Sequence, residues 1–421
     1  LAAGVEGPET GRSDWGGLLP QWGAVAFTGL LSLALSSVLG RTLGPKDFGI
    51  LSYALSFAAI LAVLQDGGFR TLLFREKASR REGGEGGLGP LLGRALRYTA
   101  GVTLVLAGFT LLLPLEDRGA LCLALVLTGL GAVSGYVSSL LKGRGLFSRE
   151  ALWQVLTRVF TAGAVLAALA VTRRVEWILS AWSLGLALAF LTPPGMGTLA
   201  GEIRRPSVKG PAPGRRTLLA FLAIDAATLV YFRCDMVLLP YLAADRAETG
   251  IYASAYRILE GAILAATPAA HMFFRIVRRR WTGGERVASY FFRGVGAMAL
   301  AGALSGAAGF LLGPPVLSLL FGSDFSRAGP VLQTLSLSLL FILPNFFLTQ
   351  GALAFDLEWP YAFSAAGTAG VNVALNFLLI PRLGAEGAAW ATFASEGMLG
   401  AALLFFLVPR LRRGVARGGG E

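Results

Sequence analysis

"FGILSYALSF" (residues 48–57) and "TGIYASAYRI" (residues 249–258) read alike when Gly49 is set against Gly250. Each is a glycine and apolar residues opening a helix rich in small side chains. A short charged turn precedes each, "GRTLGPKD" (40–47) and "AADRAE" (243–248). A second pair, "LLKGRGLFSREALWQ" (140–154) and "TQGALAFDLEWPYAF" (349–363), falls at matching places further along. The chain therefore reads as two halves of parallel topology. The medium around them decides what such halves do.

That medium is lipid. Of the 421 residues, 54% are hydrophobic and 15% charged, where an average soluble domain carries about 25% charged residues. Mean hydropathy is +0.64. The apolar runs are continuous rather than alternating, which selects helices over a barrel, and 56 glycines suit close helix packing in a membrane. Candidate spans of roughly 20 residues lie near 20–40, 48–66, 91–114, 119–141, 151–172, 176–193, 217–241, 250–273, 289–312, 329–351, 359–380 and 386–408. The expectation is an all-α integral membrane protein with about twelve transmembrane helices in two pseudo-symmetric six-helix halves around a central cavity. Repeated halves of this kind are a transporter architecture. In domain terms this is a tail (1–19), an N-terminal half (20–199), a linker (200–216), a C-terminal half (217–408) and a basic tail (409–421). The first apolar run is read as an uncleaved span, since no small-residue cleavage pattern follows it.

The net charge of +12 raises the question of nucleic acid. The location of the basic residues answers it. Of 37 Lys and Arg, 26 fall on the side of the termini, eight on the other side, and three (Arg158, Arg233, Arg257) inside spans. This is the positive-inside pattern. It predicts a multi-pass protein of the inner (cytoplasmic) membrane with both termini cytoplasmic, membrane lipids as its surroundings and no nucleic-acid partner. Cys122 and Cys234 sit in apolar runs and read as small hydrophobes, and His271 is the only histidine. No metal site or catalytic residue is expected, and the absence of GxxxxGK[ST] argues against direct ATP coupling.

"RTLGPKDFGILSYALSF" (41–57), "QDGGFRTLLFREKASR" (65–80), "RCDMVLLPYLAADRAETGIYASAYRI" (233–258), "LFGSDFSRAGPVLQTLSLS" (320–338) and "NVALNFLLIPRLGAEGAAWAT" (372–392) carry a resemblance. Together they resemble the polysaccharide and O-antigen flippases (polysaccharide biosynthesis proteins) of the multidrug/oligosaccharidyl-lipid/polysaccharide exporter superfamily. The likeness extends from about residue 20 to 408. Pro240, near the end of the seventh span where that family often has "LG", is a departure; it can end or kink the helix. The resemblance implies a transporter, not an enzyme. It would move a polyprenyl-diphosphate-linked oligosaccharide for surface polysaccharide (O-antigen or exopolysaccharide) biosynthesis by alternating access of two bundles, with a polysaccharide polymerase and glycosyltransferases as further partners. A cation-coupled multidrug exporter or a lipid II flippase of the same superfamily is the alternative reading. A membrane glycosyltransferase or O-antigen ligase is a more distant one, because such enzymes show a large outer loop or an acidic motif.

A charge in mid-membrane costs about 2.5–3.5 kcal/mol on insertion scales, so each such group needs a partner or an aqueous cavity. Arginine suits a diphosphate because its guanidinium is permanently charged and forks onto two oxygens. Arg158, Arg233 and Arg257 are accordingly substrate-binding candidates. Tyr252 and Tyr256, which share a helix face with Glu260, are candidates for stacking on sugars. Asn372 and Asn376 end the i,i+4 stripe Ser364, Thr368, Asn372, Asn376; cavity lining and helix–helix hydrogen bonding are both open for them. Thr28, Ser32 and Ser36 make a similar stripe that reads as packing. Arg257 and Glu260 are spaced to pair, whereas Arg233 and Asp235 are not, and Asp235 is left without a role. Asp225 and Glu396 are the carboxylates most embedded in apolar sequence and are ion-coupling candidates, for an H+ or Na+ gradient. Asp66, Arg70 and Glu260 complete the coupling or gating set, with a simple helix-end pair the favoured reading of Asp66 and Arg70. No cofactor is implied.

Overall fold

The computed structural model describes residues 14–78, 88–204 and 215–416, and every regular element among them is helical. The N-terminal half runs α1 (Asp14–Asp66), α2 (Phe69–Ala78), α3 (Gly89–Leu112), α4 (Arg118–Gly143), α5 (Phe147–Leu169), α6 (Val175–Ala189) and α7 (Pro193–Arg204). The C-terminal half runs α8 (Arg215–Leu242), α9 (Ala247–Thr282), α10 (Ala288–Phe321), a 3-10 turn (Ser323–Phe325), α11 (Ala328–Ala354), α12 (Glu358–Leu383) and α13 (Ala385–Ala416). Within each half the helices pack closely on one another, and between the halves α1 is the element that reaches across, to α8 and α9.

Among the described residues, eight helices are long and apolar enough to cross a membrane, or nine with the bent pair α6–α7 taken as one span. Helix α1 carries two of the expected spans, divided at Gly44, whose φ of 72° breaks the helical path that secondary structure otherwise runs through. Helices α8 and α9 stand where the seventh and eighth spans are expected, with Arg233 and Asp235 inside α8, Arg257 and Glu260 inside α9, and Arg279 and Arg280 in the last turn of α9. At 36 residues, α9 is about 54 Å long at 1.5 Å per residue. That exceeds the roughly 30 Å hydrocarbon core, which leaves room for its basic end to stand outside lipid. Outward faces are apolar, with Leu104, Leu112, Leu312 and Phe405 all exposed. In water such a surface would be an aggregation liability; in a bilayer it is solvated.

The two halves meet at one end. There Gly49 and Gly250, the residues aligned by the internal repeat, lie against each other. A Cβ on Gly250 would sit 1.8 Å from the Pro45 carbonyl oxygen, and one on Gly49 would sit 2.8 Å from the Gly250 nitrogen. Around this contact one hydrophobic cluster runs through both halves, joining Leu39, Phe48 and Leu51 to Ile251, Phe321 and Phe325. The Phe48 ring packs at 5.8 Å from Phe321 and 5.9 Å from Phe325. Polar groups add to it. The Tyr53 and Tyr241 hydroxyls are 2.5 Å apart, Arg41 Nε donates to the Leu320 carbonyl at 2.8 Å, and Arg246 pairs with Glu116 at 2.9 Å and Asp117 at 2.7 Å. Arg327 ties the α10–α11 junction to Asp245 and Glu248. The Asp245 carboxyl is held below the usual carboxylate range by the Ala247 backbone N–H and by Arg327, so this tie weakens as pH falls through that lowered range.

At the opposite end the cores are separate. The C-terminal half closes around Phe273, Val277, Phe291, Leu403 and Leu407. The N-terminal half closes around Leu73, Leu92, Tyr136 and Leu140, with a further cluster at Val137 and Trp153. Lys77, Arg144 and the Leu88 N–H all converge on the buried Glu202 within that half. The molecule is thus joined at the Gly44 and Asp245 turns and divided at the other end.

The glycine contact has a direct test. Gly250→Ala forces backbone apart and should cost about 1–3 kcal/mol, as overpacking does. It should therefore lower the melting temperature in detergent. Gly261→Ala, where a Cβ meets nothing within 4 Å, should leave it unchanged or raised. Equal melting temperatures for Gly250→Ala and wild type would contradict the close approach.

Candidate functional site

A cavity of about 190 Å³ lies between the halves, just beneath the closed end. Ser32 and Ser36 from α1, Arg158 and Thr161 from α5, Trp182 from α6 and Arg257 from α9 line it. Helix geometry explains the set: Ser32 and Ser36 are one turn apart on one face of α1, so the stripe expected to serve packing presents its hydroxyls here instead. Arg158 forms no ion pair among the described residues. Arg257 donates from Nη1 to Glu260 at 2.7 Å, while its Nε is buried without a partner. Two guanidiniums, one from each half, therefore face a single polar space with one carboxylate nearby.

That carboxylate is shared. Glu260 accepts from Arg233 at 2.7 Å on one oxygen and from Arg257 at 2.7 Å on the other. The Arg233 guanidinium also lies 6.0 Å from the centre of the Tyr256 ring, within cation–π range. Arg233 is therefore a bridging partner of Glu260 and not a lining residue of the cavity.

Tyr252, Tyr256, Asn372 and Asn376 are placed differently from the expectation. They do not line the space between the halves; they are buried inside the C-terminal half around Asp235, the residue that spacing left without a role. Asn376 Nδ2 donates to Asp235 Oδ1 at 2.7 Å, and the Tyr252 and Thr392 hydroxyls donate to Oδ2 at 2.6 and 2.9 Å. Asn372 Oδ1 accepts from Asn376 and from the Cys234 thiol. Tyr256 stacks on Tyr252 with ring centres 5.7 Å apart and donates to the Phe232 carbonyl. The i,i+4 spacing correctly put these groups on one face each, but the face turns toward α8 and its buried carboxylate, not toward a sugar. Four neutral donors, the Cys234 thiol included, and no cation among the described residues surround Asp235, which joins α8, α9, α12 and α13 through one side chain.

The remaining candidates fall elsewhere. Asp66 accepts the Gly68 and Arg70 backbone N–H groups and lies 3.8 Å from the exposed Arg70 guanidinium, which makes it a helix-end pair in the turn between α1 and α2. Glu396 is buried in α13, accepting from Asn345 at 2.7 Å. The side chain of Asp225 lies outside the described residues, and so do residues 205–214 of the expected linker. Trp182 was not singled out by the sequence; an isolated Trp in an apolar run gives no signal of what it faces.

This arrangement is that of a two-bundle helical membrane protein with a charged cavity at the pseudo-symmetry interface. The model of the family described as polysaccharide biosynthesis protein matches residues 23–274, and the chain belongs to that family. Among solved structures, it resembles an outward-facing multidrug resistance MATE family transporter of the MOP superfamily (14% identity, TM-score 0.67, covering 94% of this chain and 95% of that one). It likewise resembles the lipid II flippase MurJ in an inward closed conformation (14%, TM-score 0.69, 94% and 90%) and an inward-facing MATE transporter (13%, TM-score 0.65, 97% of each). At such identities the likeness is one of fold. No curated protein matches the chain.

The Asp235 network makes a prediction about stability. Asp235→Ala removes the acceptor that the Tyr252 and Thr392 hydroxyls and the Asn376 amide share, and a buried donor left unsatisfied costs about 1–3 kcal/mol. The variant should melt well below wild type, and Asp235→Asn, which keeps one acceptor oxygen, should recover part of the loss. A melting temperature unmoved by Asp235→Ala would show that the carboxylate does not organise the bundle.

Proposed function

We propose that the protein is a flippase that carries a polyprenyl-diphosphate-linked oligosaccharide across the cytoplasmic membrane for surface polysaccharide biosynthesis. The observation that carries this reading is the meeting of Arg158 and Arg257, from opposite halves, in one cavity where Arg158 has no carboxylate partner among the described residues. Two guanidiniums in mid-membrane repel each other and are costly to bury. A diphosphate offsets both terms, since each guanidinium can fork onto phosphate oxygens. The positive-inside distribution of Lys and Arg supports cytoplasmic termini, and with them a divided end on the cytoplasmic side. The cavity then opens toward the leaflet where lipid-linked sugars are built. Rocking of the halves about the joined end would expose it to the other leaflet. No covalent step is needed, and a cation gradient, H+ or Na+, would drive net movement. A polymerase and glycosyltransferases acting on the same lipid are the partners this role implies.

A multidrug exporter of cationic compounds is disfavoured by the same two arginines, which repel a cation. A lipid II flippase would share the diphosphate and differ only in the sugar. The test uses purified protein in vesicles with a fluorescent polyprenyl-diphosphate oligosaccharide. Each of Arg158→Ala and Arg257→Ala removes charge-assisted hydrogen bonds worth about 1.5–3 kcal/mol, which corresponds to roughly tenfold to a hundredfold weaker lipid binding. Leaflet exchange should slow accordingly while membrane insertion stays normal. Wild-type exchange in both variants, or equal transport of a polyprenyl glycan lacking the diphosphate, would refute the proposal.

A further inference from the structure

The C-terminal half holds a second cavity, of about 180 Å³, enclosed by α8, α11, α12 and α13. Glu396 lines it and is 1% exposed. One Asn345 amide nitrogen donates both to the Glu396 carboxylate at 2.7 Å and to the Glu396 backbone carbonyl at 2.9 Å. The double contact fixes the amide, so its nitrogen and not its oxygen faces the carboxylate. Of the other side chains of this cavity, Thr368 carries a buried hydroxyl without a hydrogen-bond partner, and the buried Tyr231 hydroxyl faces Glu396. A buried hydroxyl without a partner is expensive. A carboxylate and two buried hydroxyls on the wall of a small, otherwise largely apolar space form a set that water and a mobile proton would complete.

The contrast with Asp235 sharpens the point. Both oxygens of Asp235 are already filled by donors, and it does not line this cavity. Glu396 has the Asn345 amide on one oxygen, the Tyr231 hydroxyl beside it and a cavity in front of it. No Lys or Arg bonds to it among the described residues. The titratable groups that face it are Tyr231 from α8, Tyr256 from α9 and Tyr361 from α12, with Asp235 beyond Tyr231, while α11 presents only the neutral Asn345 and Gln350. An alkali cation needs several convergent oxygens, and Asn345 turns its oxygen away. One proton suffices to neutralise a single buried carboxylate.

We infer that Glu396 is the proton-exchange group of the C-terminal half. Its carboxylate takes H+ from a hydronium in the cavity, leaving water, and returns it to water when the halves have rocked. The inference rests on the transport reading for its purpose but not for its chemistry. The test therefore has two arms. In the first, acid titration of the purified protein is followed by infrared difference spectroscopy. Wild type should develop the stretch of a protonated carboxyl that Glu396→Gln lacks. Tyr231→Phe, which keeps Glu396 and removes one donor, should move the midpoint of that stretch to higher pH. In the second, vesicle exchange of the diphosphate lipid should respond to a pH gradient in wild type and lose that response in Glu396→Gln. The inference fails if the stretch persists in Glu396→Gln, if Tyr231→Phe leaves its midpoint unmoved, or if a sodium gradient drives exchange and a pH gradient does not. If wild type shows the Glu396-dependent stretch but moves no lipid, the proton site stands and the transport reading falls.

Discussion

Where Gly250 approaches the Pro45 carbonyl, two helices from different halves come closer than any side chain would permit. Everything else in the molecule is arranged around that contact. Because backbone touches backbone there, the aromatic ring of Phe48 can reach Phe321 and Phe325, and Arg246 can reach Asp117. The same approach sets the roof of the cavity below, since Ser32, Ser36 and Leu35 of α1 and Arg257 of α9 are carried to a common depth. Small residues are the means by which membrane helices pack without a hydrophobic driving force between them. Between the halves, backbone meets backbone in this way where Gly49 and Gly250 lie together at the joined end.

Charge is handled differently in the two halves. Within the N-terminal half, Glu202 and Glu150 are buried but each meets a basic residue, so their role is cohesion. In the C-terminal half, Asp235 and Glu396 are buried with neutral donors only among the described residues. The two halves thus hold their buried carboxylates in different ways, by ion pairs in one and by neutral donors in the other. The Arg233–Glu260–Arg257 chain runs from the buried network of α8 to the cavity, which gives the two a physical connection through side chains.

Much of this was legible in the amino-acid sequence because it depends on local pattern. The Gly49–Gly250 register followed from the repeat, the helices from continuous apolar runs, and the Arg257–Glu260 pair from i,i+3 spacing. What was illegible depends on which neighbour a helix face meets. Tyr252 and Asn376 share the property of polarity on an apolar face, and spacing cannot tell a cavity from a buried carboxylate 141 residues away in the chain. Asp235 was invisible for the same reason, its donors coming from three other helices. Gly44 read as a loop between two spans because a proline and charges follow it, yet the backbone stays helical on both sides of one residue with positive φ.

The central claim is that the halves pivot as units, joined at the Gly44 and Asp245 turns when divided at the other end. Spin-label distances measured in lipid nanodiscs test it most directly, with one pair at Lys46 and Ser323 and another at Ser148 and Arg279. Without ligand, the Lys46–Ser323 distance should be short and narrowly distributed and the Ser148–Arg279 distance long. Adding a polyprenyl diphosphate glycan should produce a second population in which the first lengthens as the second shortens, in equal proportion. Distances that change independently, or a Lys46–Ser323 pair that is widely separated without ligand, would contradict the account.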